Sequence, residues 1–242
     1  MSFTNYQELI KMSDDIEYMA SKLTLPHVNG TIPFILNQTQ KNILKELDES
    51  DSKINNIYAS RQIGISSLSA LMFTHDAVFN SGKRIGVLSK RLIGNEYPRD
   101  LFNRWFQELS TMGVTTGLNI EVNNKGCIEL SNGTKIKFAN IDSSSLRGCT
   151  YSRLYIDNIE TLDDKDIDNF MYSVLPTINS GKQGKATFFN TGHFQNNKID
   201  TYQGINTYKF PWYTVSDPNY LVNVARTRSM LPKETFECEY GD

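Results

Sequence analysis

A chain of 242 residues with 39% hydrophobic and 21% charged content is ordinary for a globular soluble protein, long enough for one α/β domain with a full core or for two small ones. A net charge of −2 excludes a global basic field, so any nucleic-acid surface has to be a local patch. Cys127, Cys149 and Cys238 are far apart and odd in number, and His27, His75 and His193 are scattered, which argues against a zinc site or a disulfide framework and suits a reducing cytosol.

Tyr6, Leu9, Ile10, Ile16, Met19 and Leu23 recur at three- and four-residue spacings, which predicts one or two amphipathic helices over 5–23. "LPHVNGTIP" reads as a turn-rich stretch, and "NQTQKNILKELDES" as a helix capped near Asn37. A strand at 54–59, "INNIYA", runs into the polar loop "SRQIGISS". An apolar-faced helix over 68–79 follows, closed by "NSGKR". "IGVLS" (85–89) is a short buried strand. "PRDLFNRWFQELSTM" (98–112) is a helix with Pro98 in its first turn and with Leu101, Trp105, Phe106 and Leu109 on one face.

Three strand candidates come next, "LNIEVN", "CIELSNG" and "KIKFAN", the last two separated by a Ser-Asn-Gly hairpin turn. "RLYID" (153–157) is a strand that ends on a carboxylate. A helix in "DKDIDNFMYSVLPTI" and a strand in "ATFFNT" follow, and the last quarter mixes strand and helix. Strands alternating with helices predict an α/β fold: a central, mainly parallel sheet with helices on both faces and an antiparallel hairpin addition at 118–140. The acidic, amphipathic N-terminus is no signal peptide, and no apolar run approaches the roughly 20 residues of a membrane-spanning helix. The expectation is an intracellular protein with no membrane partner.

The loop after the 54–59 strand carries the chemistry. A phosphate-binding loop converges successive N–H groups and a helix N-terminus on an anion, usually adding a lysine for the β- and γ-phosphates and a Ser/Thr hydroxyl for Mg²⁺. Ser60, Arg61, Gln62, Ile63, Gly64, Ile65, Ser66 and Ser67 supply the glycine and two hydroxyls, with Ile65 in place of the lysine. Alone, this sequence also describes a capped helix start and nothing more. A second element raises the functional reading: the strand ending in Asp157, ninety residues on, has the form that sets a carboxylate beside a phosphate loop to orient Mg²⁺.

With both elements in place, the chain resembles the ATPase domain of the large terminase subunit, the DNA-packaging motor of tailed bacteriophages. Six stretches carry the likeness, from about residue 30 onward: "FILNQTQKNIL", "ASRQIGISS", "GCIELSNGTKIKFANIDSSSLRG", "LYIDN", "LPTINSGKQGKATFFNTG", and the "FPWYTV" and "TFECEYGD" segments together. The resemblance implies a P-loop NTPase core over 31–242 after a small helical segment over 1–30, with no nuclease domain. It implies that ATP and Mg²⁺ are bound by Gln40 at the adenine, the 60–67 loop at the phosphates, and Ser66 and Asp157 at the metal. It also puts Asn190, Thr191 and Gly192 at a γ-phosphate sensor, and makes Arg147 a candidate arginine finger for a neighbouring subunit or a DNA contact.

The same likeness implies double-stranded DNA, a portal and a small terminase subunit as partners, a homo- or hetero-oligomeric ring, and a phage-encoded protein in the host cytoplasm. Two positions depart from the family pattern. Ile65 replaces the lysine, and Asn158 replaces the glutamate that activates water, a proton an amide cannot accept. Arg61 within the loop and Glu160 two residues beyond Asn158 are the candidate substitutes for the missing charges; failing them, the chain is a catalytically inactive paralogue serving as an interaction or regulatory subunit. Lys and Arg residues in "GKR", "SKR" and "GKQGK" are candidate DNA-facing cations and equally ordinary loop residues.

Overall fold

The computed structural model describes residues 3–90, 95–141, 148–159, 162–179, 184–192, 194 and 197–241. The chain opens with helices α1 (Phe3–Asp14) and α2 (Ile16–Ser21), Asp15 capping the second by accepting from the Tyr18 N–H. The stretch read as turn-rich forms an antiparallel hairpin, β1 (Thr24–His27) and β2 (Gly30–Pro33), with Gly30 at φ 120° opening the second strand. Helix α3 (Gln38–Glu49) starts at a capping box: Asn37 accepts from the Gln40 N–H, and the Gln40 side chain accepts from the Asn37 N–H.

Strand β3 (Ile54–Ala59), the loop and helix α4 (Ile65–Phe79) follow. The helix begins three residues before the expected Leu68, because Gly64, in the left-handed region at φ 81°, turns the chain straight into it. After β4 (Arg84–Ser89), α5 (Glu96–Thr111) begins two residues ahead of Pro98, which the first helical turn tolerates because its N–H groups have no intrahelical acceptor. Then come β5 (Ile120–Asn123), β6 (Cys127–Leu130), β7 (Lys135–Asn140), β8 (Arg153–Asp157), α6 (Asp164–Asn179), β9 (Lys185–Thr191), β10 (Ile205–Phe210), α7 (Pro218–Met230) and α8 (Lys233–Tyr240).

Eight strands form one sheet in the order β10-β3-β9-β8-β4-β7-β6-β5. The pairings from β10 through β7 are parallel, and β6 and β5 add to them antiparallel. A parallel sheet covered on both faces needs strands apolar on both sides, and every residue of β3 is buried. Its two asparagines are satisfied inside: Asn55 accepts from the Ser50 hydroxyl at 2.6 Å, and Asn56 accepts from Asn190 at 2.6 Å while donating to Asp200 at 3.0 Å.

On one face α4, α5 and the N-terminal helices share a core that includes Met19, Phe73, Phe102 and Trp105; on the other, α6 packs Phe170 and Met171 over Ile156 and Phe188. Trp105 stacks on Phe34 at 5.4 Å and donates its indole N–H to the Thr24 carbonyl at 2.7 Å, tying the hairpin to α5. Among the described residues no helix is long and apolar enough to cross a membrane. This is the mixed, mostly parallel sheet expected, with its hairpin extension in place.

Candidate functional site

Strand order decides what meets at the C-terminal ends of the strands. Only β9 separates β3, which leads into the loop, from β8, which ends on Asp157. The loop and the carboxylate therefore flank one strand, about 10 Å apart between strand axes, in the crevice where open α/β sheets take ligands.

Two left-handed residues curl the loop, Gln62 at φ 65° and Gly64 at φ 81°. No side chain caps α4, so its first N–H groups face the loop's interior unclaimed by a cap. Behind the loop, Asn37 donates to the Ile63 carbonyl at 3.1 Å and Gln40 to the Gly64 carbonyl at 3.0 Å. Gln40 is thus buried as a brace of the loop, with its oxygen on the Asn37 N–H at 3.0 Å.

A cavity of about 330 Å³ opens over the loop, lined by Ser60, Gln62, Ile63, Gly64, Ile65, Ser66, Ser67, Tyr97 and Thr191. Asp157 stands near Ser66 in the cavity wall, with its Oδ1 buried and without a hydrogen-bond partner. Burial pushes the Asp157 carboxyl up from 3.8 to about 6, with the nearby Ser66 hydroxyl opposing the shift. A buried carboxylate oxygen with an open lone pair beside a serine hydroxyl is an oxygen donor set of the kind Mg²⁺ takes, alongside substrate phosphates rather than inside an all-protein cage. Among the described residues no cluster of three or more His, Cys, Asp or Glu groups forms such a cage elsewhere.

The other expected residues are placed as follows. Ser60 is buried, its hydroxyl 2.6 Å from the Tyr220 phenol, which also donates to the Arg61 carbonyl at 3.0 Å. Burial pushes that phenol up to about 12, so it stays protonated across the physiological range. The Arg61 guanidinium leaves the cavity and pairs with Glu239 on α8. Ile65 is 5% exposed, its side chain packed with the core under α4.

Asn158 sits at φ 56° with its N–H on the Phe189 carbonyl at 2.8 Å. Asn190 is fully buried with its amide on Asn56, whereas Thr191 reaches the cavity. Gly192, at φ 79°, leaves no room for a Cβ, which would lie 2.6 Å from Glu239 Oε2. Arg147 and Glu160 lie outside the described residues.

Four side chains at the site carry no sequence signal of their own. Tyr97 bonds Ser67 at 3.0 Å from α5, and Tyr220 and Glu239 reach back from α7 and α8. Asn223 joins Asn37, Asn219 and Tyr220 around a second cavity of about 230 Å³ on the outer side of Gln62 and Ile63. Local pattern marks loops and strand ends, and contacts made across 30 to 178 residues leave no local pattern.

No family model matches the chain. Among solved structures it is similar to a mutant of the Thermus phage P74-26 large terminase ATPase domain, with TM-score 0.68, 14% identity, and 84% of this chain and 91% of that one covered. It is similar to the HK97 bacteriophage large terminase at TM-score 0.67 and 12% identity, over 95% of this chain and 54% of that one. A third likeness is to the large terminase of another thermophilic bacteriophage solved with ADP, at TM-score 0.58 and 12% identity, over 84% of this chain and 52% of that one. A complex of the same phage terminase with ATP-gamma-S matches at TM-score 0.57 and 11% identity over the same share of this chain and 51% of that one. The chain spans about half the length of these two full terminases and nearly all of the isolated ATPase domain. This chain has the fold of phage large terminase ATPase domains.

Proposed function

We propose that the chain is a nucleotide-binding terminase-type domain of a phage DNA-packaging motor, taking ATP and Mg²⁺ at the 60–67 loop and working in a ring on double-stranded DNA in the host cytoplasm. The observation that carries this is the cavity over the 60–67 loop, with Ser66 in its wall and the partnerless, buried Asp157 Oδ1 near that hydroxyl. The nucleotide complexes of a terminase with this fold support it. Backbone N–H groups of the loop and the start of α4 hold the phosphates, and the Ser66 hydroxyl and Asp157 hold the metal, which neutralises charge on the β- and γ-phosphates when bound. Thr191 faces the terminal phosphate from the end of β9. Tyr97 and Ser67 line the same cavity, and the amides of Asn219 and Asn223, which line the neighbouring one, would offer hydrogen-bonding edges to the base. Portal and small terminase subunit are the partners this reading brings with it.

Three observations favour a second reading of the same site, an inactive paralogue that binds nucleotide as an interaction or regulatory subunit. Ile65 is committed to the core, Asn158 is no base, and Arg61 is held by Glu239. Equilibrium binding of fluorescent ATP with and without Mg²⁺ tests the first reading; absence of Mg²⁺-dependent binding at millimolar nucleotide sinks both. ATP turnover by the native chain beside the Ile65→Lys/Asn158→Glu variant separates them. Native turnover abolished by Arg61→Ala supports the motor reading, with Arg61 supplying the charge. Turnover gained only in the restored variant supports the paralogue.

A further inference from the structure

The opposite rim of the sheet is as ordered as the nucleotide crevice, and nothing above uses it. Four of the parallel strands begin on a basic residue, β4 on Arg84, β7 on Lys135, β8 on Arg153 and β9 on Lys185, and Lys53 stands one residue ahead of β3. Register aligns them. Lys185 pairs with Arg153, and Ile54 pairs with Ala186, which sets Lys53 beside Lys185; Arg84 pairs with Lys135, one step from Ile85, the partner of Arg153. At their other ends the same five strands finish on Ala59, Ser89, Asn140, Asp157 and Thr191, none of them a cation, with Lys90 one residue past β4. A chain of net charge −2 thus carries a cationic row at one end of its sheet.

The row sits on fixed backbone. Turns 80–84 and 131–135 are bonded to each other: Gly82 N–H to the Asn132 carbonyl at 3.0 Å, Asn132 Nδ2 to the Asn80 carbonyl at 2.9 Å, and Lys135 N–H to the Lys83 carbonyl at 2.8 Å. Three of the six cations have internal partners: Arg153 on Asp76 at 3.3 Å, Lys135 on Glu129 at 2.8 Å, and Lys185 on the Ser50 carbonyl at 3.2 Å. Among the described residues no ion pair involves Lys53, Lys83 or Arg84, and Lys53 and Arg84 are exposed.

Dimensions and chemistry select the partner. Five strands about 4.8 Å apart span about 19 Å, and a duplex strand passes between five and six phosphates in roughly that length at 3.4 Å each. Among the described residues, Ser81, Gly82, Gly133 and Ser152 flank the cations, and these carry none of the aromatic or large apolar anchors on which protein–protein interfaces depend. We propose that the N-terminal rim of the sheet, through Lys53, Lys83, Arg84 and Lys135 with Arg153 and Lys185 behind them, binds the phosphate backbone of double-stranded DNA without reading sequence. This locates the DNA surface of the reading above and rests on it only for the choice of a DNA partner.

Fluorescence anisotropy of a labelled duplex, titrated with the whole chain in the absence of nucleotide, tests it across a range of salt. The expected log–log salt slope is about −4 to −5, close to −0.9 per phosphate contacted. Lys53→Glu/Lys83→Glu/Arg84→Glu lowers its magnitude by about 3 and weakens binding at least tenfold at roughly 100 mM salt. The Gln versions of the same three positions move both in the same direction by less, and Lys233→Glu, an exposed charge at the start of α8, changes neither. Circular dichroism checks that each variant folds. The proposal fails if the native chain does not bind duplex, if the triple reversal keeps the native slope, or if only an acidic polypeptide such as polyglutamate binds at the rim. Because no nucleotide is present, loss of ATP binding and loss of DNA binding are separate results.

Discussion

Asp157 is a charge the fold holds at a cost, and that cost is measurable. Its carboxyl rises from 3.8 to about 6 on folding, so between those values the native state keeps a proton that the unfolded chain has lost. Stability from this group is therefore complete below pH 3.8 and falls as pH rises through 6. At 1.36 kcal/mol per pH unit, the shift amounts to about 3 kcal/mol lost by pH 7.5. Asp157→Asn removes the titration at nearly the same side-chain size. Any cost of the new buried N–H₂ is independent of pH and cancels when each protein is referred to its own value at low pH. Urea unfolding of the native chain and of Asp157→Asn from about pH 4 to pH 7.5 gives the comparison. Part of the loss has already occurred by pH 4, so the native chain should lose roughly 2 to 2.5 kcal/mol more than the variant over that range. Parallel pH profiles would show that the Asp157 carboxylate is solvated, and the argument for an open metal ligand would go with it.

Two further predictions concern the loop. Gly64→Ala places a side chain at φ 81°, with its Cβ 2.9 Å from Gln40 Nε2, and should cost about 1–3 kcal/mol in urea-midpoint stability; an unchanged midpoint would mean the loop relaxes out of the left-handed turn. Tyr220→Phe leaves the buried Ser60 hydroxyl and the Arg61 carbonyl without their shared partner and should cost about 1–2 kcal/mol. Hydrogen exchange should localise that loss to residues 60–64, and a change confined to α7 would place the phenol's role elsewhere.

The sheet, its parallel centre and the hairpin extension were readable because burial imposes period and length: "INNIYA" and "RLYID" are strands by composition, and Ser-Asn-Gly turns the chain between β6 and β7. The β1–β2 hairpin escaped notice because it is mostly exposed and its prolines hide the alternation that marks a strand. At the site, the glycine and hydroxyls of the loop and the carboxylate ending β8 follow local rules and could be read off. The sequence offered Arg61 as the substitute charge, but its direction depends on Glu239, 178 residues away. Gln40 could be matched by position alone. That both polar ends of its amide are occupied by Asn37 and Gly64 is a property of packing.

The Arg61–Glu239 pair bears on what Ile65 means for the loop. With Ile65 after Gly64 the loop carries no lysine, and an ionised Arg61 turned into the partly desolvated cavity would be costly. Outside it, paired with Glu239 and half exposed, the guanidinium stays solvated. The same carboxylate packs against Gly192, next to Thr191, so α8 touches both the loop and the end of β9. On the nucleotide-binding reading proposed above, a polyphosphate entering the cavity would compete with Glu239 for Arg61, and any gain there would be reduced by breaking the pair already made. The exchange would cost little because the guanidinium side of the pair is half exposed, and exposed pairs contribute about 1 kcal/mol or less. On that reading, occupancy of the cavity and the position of α8 would be linked through one side chain, whether or not the terminal phosphate is ever cleaved.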